Sequence, residues 1–492
     1  LHAGGAVERR RFLIVAGLVI FMGVLRWGKL DPSNPQADRT LAVAVLMAFY
    51  WITEAIPLAA TSMIPVALFP FLGIMGGKDV ASVYFNDVIF LFIGGFIVAL
   101  AMEKWDLHKR IALKIILLLG SGSSRLVFGF MAGTWLLSMW ISNTATMMMM
   151  VPIILAILIK LEERTVPGMK RFQTALLLGV AYASSVGGIA TLIGTPPNLA
   201  FAKIYSISFP GAPEVSFVQW FAFAFPLSLV FFLVVFLLLK TIFLRGVEID
   251  VDSGLLRAEY EKLGKASREE KIVLVDFIIL ALLWATRKDI HLGGAVLHGW
   301  SSLLGNPSYV DDGTVAVLAA LVLFLLPAGG EKGFIMDWRT VGRLPWGIVL
   351  LFGGGFALAK GFHDSGLSAD LGARLAAVKD LPPVFIVLLI CTLITFLTEL
   401  TSNTATTQVV LPVIASLSGV AGLNPLLLMV PATISASCAF MLPVATPPNA
   451  IIFGTDRLRV SSMAGAGLLL NIVGIVLVTA AMMTLGRAVF GS

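Results

Sequence analysis

The stretch WISNTATMMMMVP at 140–152 sets Ser, Asn and Thr between apolar flanks, and ELTSNTATTQVVLP at 399–412 repeats the run SNTAT 260 positions later. A polar side chain so embedded has no water to bond to, so it must find partners within the protein or serve a ligand. One SNT alone reads as a helix N-cap, because Ser, Thr and Asn accept from the first free amides of a helix. Two identical copies ask for more. Each sits in the middle of a long apolar stretch, 126–159 and 383–416, with room for two half-depth helices joined at a polar tip. Such a re-entrant hairpin is tolerated at membrane depth only where its irregular backbone is buried in protein or faces a water-filled cavity.

The rest of the chain agrees with a bilayer. Of 492 residues, 58% are hydrophobic and 13% charged, and the mean hydropathy is +0.94; soluble domains carry roughly 25% charged residues. The expectation is an all-α polytopic membrane protein, beginning with a transmembrane helix at 7–27. The pI of about 9.3 could suggest nucleic acid, but Lys and Arg cluster in short loops between apolar spans, as topology signals do, and no nucleic-acid partner is expected. Their bias puts the N-terminus in the cytoplasm. Cys391 and Cys438 lie in apolar runs and read as packing residues rather than a disulfide. The insert 244–271 reads as a solvated amphipathic helix and linker. Likewise the loop 288–312, with His291, His298, Asp311 and Asp312, reads as solvated and not as a metal site, since its spacing matches no ligand set.

Two further pairs accompany SNTAT. LFIGGF at 91–96 returns as LFGGGF at 351–356, again 260 positions on, and GTPPN at 194–198 returns as ATPPN at 445–449. Three paired motifs in one order amount to a duplication of the half-chain. An odd number of crossings between the copies makes the halves inverted repeats, the arrangement in which secondary transporters place substrate and ion sites at the repeat interface.

The chemistry of the paired motifs fits that placement. At a hairpin tip or helix break, free amides can hold an anion and unwound carbonyls a small cation. Ser, Asn and Thr add oxygens for the cation and donors for the anion, while TPPN enforces a non-helical break, because Pro cannot continue the helix and disfavours it just before. A double Pro alone would be a kink; its duplication beside the duplicated SNT points to a site. The motif cores contain no charged residue, although Glu399 lies three residues before the second SNT. An anion bound among neutral donors needs its charge compensated, and a co-bound cation would do this.

Through ITEAIPLAATSMIPV at 52–66, SNT at 142–144 and 402–404, and TPPN at 195–198 and 446–449, nearly the whole chain resembles the divalent anion/sodium symporters, the INDY-type dicarboxylate transporters. The resemblance implies a homodimer in the plasma (inner) membrane whose protomers each have a scaffold and an elevator-like transport domain. The division would be 1–87 as N-terminal scaffold helices and 88–205 as the first repeat core, with hairpin 126–159 and broken helix 174–205. Scaffold helices would follow over 206–344, then the second core at 345–454, with hairpin 383–416 and broken helix 426–454, and a last helix at 455–492. One Na+ site would use Ser138 and Asn143 with the backbone around Ser142 and Gly194; the other would use Thr398 and Asn403 with the backbone at Ala445. The dicarboxylate would touch Ser142, Asn143, Thr144 and Thr195 from one half and Ser402, Asn403, Thr404, Thr446 and Pro447 from the other. Ser138 and Thr398 each stand one helical turn before their SNT, so the spacing allows an oxygen of each to face the tip.

Sodium-coupled symport of C4-dicarboxylates (succinate, malate, fumarate) is the function implied. A sodium-independent exchanger, or a carrier of another divalent anion such as sulfate or citrate, remains open. A channel would need a continuous path lined by carbonyl or charged rings, whereas two closed tips are found. No HExxH and no His, Cys or acid cluster appears in the apolar core, so an enzyme is not expected.

Overall fold

The computed structural model describes residues 2–28, 33–120, 122–163, 167–249, 253–292, 295–330, 333–374 and 380–491. Helices His2–Trp27, Pro35–Thr53, Leu58–Thr61, Ile64–Phe71 and Gly77–Tyr84 precede those that build the paired cores. The first core comprises α1 (Asp87–Lys104), α2 (Ser123–Ser138), α3 (Asn143–Glu162), α4 (Met169–Ile189) and α5 (Pro196–Ser208). Then come α6 (Phe217–Leu239), α7 (Arg268–Ala285) and α8 (Asp312–Leu325). The second core comprises α9 (Trp346–Asp364), α10 (Pro383–Thr398), α11 (Asn403–Ala421), α12 (Pro425–Ala436) and α13 (Pro447–Phe453), and α14 (Val460–Ala481) follows it.

Among the described residues, seven helices are long and apolar enough to cross a membrane. Phe12, Val19, Leu118, Leu321 and Val476 point outward, which lipid accommodates and water would not. Both expected hairpins are present, with joints at 139–142 and 399–402. Each first arm, α2 and α10, has 16 residues, about 24 Å of helix and so short of the ~30 Å hydrocarbon core.

Local sequence dictates where the broken helices stop. The residue before a proline is pushed out of the helical region, and Thr195 (φ −147°, ψ 142°) and Thr446 (φ −141°, ψ 151°) are both extended. Pro196 and Pro447 then open the next helices, where a missing N–H costs nothing. The gaps left are 190–195 between α4 and α5 and 437–446 between α12 and α13.

Packing follows the repeat. Within each half, the first hairpin arm lies on the first part of the broken helix, α2 on α4 and α10 on α12. Between halves the partners are exchanged: α5 packs on α11 and α13 on α3. This reciprocity is what a pseudo-two-fold relation of inverted halves requires. Framing both, α1 runs against α8 at backbone contact. A Cβ on Gly94 would stand 2.5 Å from the carbonyl carbon of Ala316, so the LFIGGF motif serves close helix approach.

The regular structure of the described residues is helical throughout apart from one short two-stranded antiparallel ribbon, Ile290–Leu292 with Ala295–Leu297. Two expectations are corrected. The loop 288–312 is not simply solvated, because Asp312 is buried, its Oδ1 2.6 Å from Arg287 Nε and its Oδ2 accepting from Phe217 N at 3.1 Å. A buried carboxylate needs such partners. Asp311 caps α8 through Thr314 N, and exposed His298 lies 3.3 Å from Asp289; the side chain of His291 is outside the described residues. The insert 244–271 forms the helix Ser253–Lys262, but its end is docked: Glu270 accepts from Arg110 Nε at 2.8 Å and Glu269 from Gly329 N at 2.9 Å. Cys391 and Cys438 are free and buried.

Candidate transport site between the two tips

A cavity of about 960 Å³ lies where the two hairpin tips and the two TPPN breaks meet. Ser142, Asn143, Thr144, Gly194 and Thr195 line it from one half, and Ser402, Asn403, Thr404, Ala445, Thr446 and Pro447 from the other. Ser138 and Thr398 stand just behind. Helices α3, α5, α11 and α13 begin at this cavity, and α2, α4, α10 and α12 end beside it. The N-termini turn partial positive charge toward the space and the C-termini partial negative charge, an arrangement suited to an anion and a cation without any charged side chain from the SNT or TPPN motifs.

The first tip is held by short contacts between oxygens. Ser138 Oγ lies 2.6 Å from Asn143 Oδ1 and 3.1 Å from Ser184 Oγ, and Ser184 Oγ is 3.3 Å from the Asn143 carbonyl. In the second tip Thr398 Oγ1 lies 2.7 Å from Asn403 Oδ1 and 2.8 Å from the Ala436 carbonyl. A hydroxyl has one proton, so it can donate to only one of two such neighbours. Clustered oxygens short of protons are a natural seat for a small hard cation. The Ser142 hydroxyl also accepts from Ala145 N at 3.2 Å, as an N-cap does, whereas Ser402 makes no side-chain cap.

The Asn of each TPPN was not singled out from sequence as a site residue, and it braces the break. Asn198 Nδ2 donates to the Thr191 carbonyl at 2.7 Å, and Asn449 Nδ2 to those of Ala439 and Leu442 at 3.1 Å each. Their matched places in a duplicated motif were the available signal. Thr191 ties the first break to its tip, its Oγ1 donating to the Met139 carbonyl at 2.5 Å and accepting from Gly194 N at 3.0 Å.

Among the described residues that line the cavity, charge appears only at its rim. Glu54, Glu103 and Arg343 line it, with Arg343 Nη2 donating to Glu103 Oε2 at 3.0 Å. Nearby, Lys104 donates to Asp337 at 2.7 Å; with the Thr340 amide it holds the Asp337 carboxyl down at about 2. That pair therefore stays ionised at neutral pH. Among the described residues no group of three or more His, Cys, Asp or Glu could hold a metal ion.

Inverted halves, paired interrupted helices and a cavity between two tips with uncharged motif cores are the arrangement of a secondary transporter rather than of an enzyme. The chain belongs to the family described as the sodium:sulfate symporter transmembrane region, whose model it matches over residues 10–491. It is 41% identical over 474 residues to the sodium-dependent dicarboxylate transporter SdcS of Staphylococcus saprophyticus, covering 94% of this chain and 89% of that protein. The same figures hold for SdcS of Staphylococcus aureus strain NCTC 8325. Among solved structures, the fold is similar to the YdaH transporter of Alcanivorax borkumensis (TM-score 0.56, 16% identity, 82% of this chain and 86% of that one). It is also similar to MtrF of Neisseria gonorrhoeae (TM-score 0.54, 14% identity, 82% of each chain).

Proposed function

We propose that the protein is a sodium-coupled symporter of C4-dicarboxylates such as succinate, malate or fumarate. The observation that carries this reading is the meeting of both SNT tips and both TPPN breaks around one cavity, to which the two motifs contribute no charged side chain. The names of the 41% identical relatives support both the ion and the substrate class.

One Na+ is held by Ser138, Asn143 and carbonyls around Ser142 and Gly194, the other by Thr398, Asn403 and the carbonyl of Ala445. The dicarboxylate lies between them, bonded by Ser142, Asn143, Thr144 and Thr195 and by Ser402, Asn403, Thr404, Thr446 and Pro447. Each Asn then spans ion and anion, its oxygen toward Na+ and its amide toward a carboxylate. Coupling follows from electrostatics. A dianion alone at this depth is strongly disfavoured, and two sodium ions cancel its charge.

The moving part comprises the two hairpins and broken helices, and the scaffold is drawn mainly from 1–87 and 206–344, two protomers forming a homodimer in the plasma membrane. With the N-terminus cytoplasmic, the rim at Glu103 and Arg343 faces the cytoplasm, and an elevator movement carries the tips to the other side. Sulfate is the second reading, favoured by the family's description.

Uptake of radiolabelled succinate into proteoliposomes tests the proposal. Replacing external sodium by choline should cut uptake by about tenfold or more, since each missing counter-ion leaves a buried charge uncompensated. Unchanged uptake would make the protein an exchanger, and competition by sulfate but not by malate would move the substrate class.

A further inference from the structure

The structure assigns Glu399 as the positioning residue of the second cation site: its carboxylate orders the unwound segment 437–446 and supplies fixed negative charge behind Ala445. The inference rests on the sodium-coupled reading above. Glu399 is buried at the end of α10, one residue after Thr398. Its Oε1 accepts from Phe440 N at 2.7 Å, Met441 N at 2.9 Å and Asn471 Nδ2 at 2.8 Å, and its Oε2 accepts from Leu442 N at 3.1 Å. Both oxygens thus act as acceptors, as the ionised form requires.

Three successive backbone amides gripped by one carboxylate make a nest around an anion, here an anion built into the protein. The segment is held from other sides as well. Tyr182 donates to the Phe440 carbonyl at 2.9 Å, and Asn449 bonds the carbonyls of Ala439 and Leu442. Helix α14 lies directly on it, because a Cβ on Gly467 would come within 2.3 Å of the Phe440 oxygen. Ala445 N bonds back to Leu442 O at 3.2 Å, so the clamp at 440–442 fixes the turn that presents Ala445 to the cavity.

The four donors to Glu399 are neutral. They satisfy its lone pairs and leave its net charge in place. A cation seated among Thr398, Asn403 and the Ala445 carbonyl is attracted by that charge. The first half has nothing equivalent, since position 139, 260 before, is a buried Met. The two cation sites are therefore unequal, and the second fills at lower sodium concentration.

The test compares wild type with Glu399→Gln and Asn471→Ala in proteoliposomes and as purified protein. Glu399→Gln puts an amide donor against a backbone donor and removes the charge. It should raise the sodium concentration for half-maximal succinate uptake by about tenfold or more, the range seen when the groups supporting metal ligands are lost. The succinate KM at saturating sodium should stay within about twofold, and amide hydrogen exchange at 440–442 should quicken. Asn471→Ala, which removes one donor and keeps the charge, should shift sodium dependence in the same direction by about threefold. If Glu399→Gln folds without transporting, thermal stabilisation by sodium alone reads the site: a curve displaced to higher sodium supports the assignment. An unchanged sodium curve, in uptake or in stabilisation, overturns it; if Glu399→Gln does not fold, an unchanged curve for Asn471→Ala does so. A wild type indifferent to sodium would instead remove the functional reading.

Discussion

Around Asn143 the break is short, spanning 190–195, and a threonine closes it: Thr191 bonds the carbonyl of Met139 and the amide of Gly194. Around Asn403 the break is longer, spanning 437–446, and a carboxylate gathers three of its amides. Both tips present an Asn oxygen within 2.7 Å of a hydroxyl one turn upstream. The tip residues are duplicated, but the means of holding them have diverged. A short unwound stretch leaves few free amides, and neighbouring hydroxyls and carbonyls absorb them. A longer one frees more donors, and a buried anion is the compact way to satisfy several at once.

The largest expected effect tests whether the ligands are equivalent. Asn143→Ala and Asn403→Ala should each lower succinate uptake about 100-fold or more if, as proposed, each Asn bonds both ion and anion. Normal uptake by both variants would break the duplicated-ligand account. Next come the hydroxyls. Ser138→Ala and Thr398→Val should each raise the sodium requirement by about tenfold, with succinate affinity at saturating sodium little changed. A change in succinate affinity alone would move these side chains from the cation to the anion. The smallest effect belongs to the threonine brace. Thr191→Val loses two hydrogen bonds without losing charge, and should shift sodium dependence by about threefold; a shift as large as that of Glu399→Gln would erase the contrast between the halves.

Much of this was legible in the sequence. The paired SNT runs marked both hairpin joints, and the Thr-Pro step marked both breaks, because those signals act on the adjacent backbone. The one-turn spacing of Ser138 and Thr398 is equally local. What escaped is non-local. Glu399 was visible three residues before its motif, but its partners lie more than 40 positions onward and on α14. The rim joins Glu103 to Arg343, 240 positions apart. Asp312 looked like part of a solvated loop because its partner Arg287 lies across that loop. A ruptured helix also gives no sign of how far its unwound part extends, since that length is decided by what packs against it.

The exchange of α5 onto α11 and of α13 onto α3 bears on how the chain is made. Each half's tip borders a helix whose packing surface belongs to the other, so the first cannot be finished when it leaves the ribosome. At about 5–20 residues per second, some 250 further residues must be synthesised before α11 and α13 arrive. For roughly ten to fifty seconds the newborn N-terminal half must sit in the bilayer with its polar tip and broken helix lacking their final cover. It must be sheltered by water, lipid headgroups or insertion machinery until its counterpart arrives.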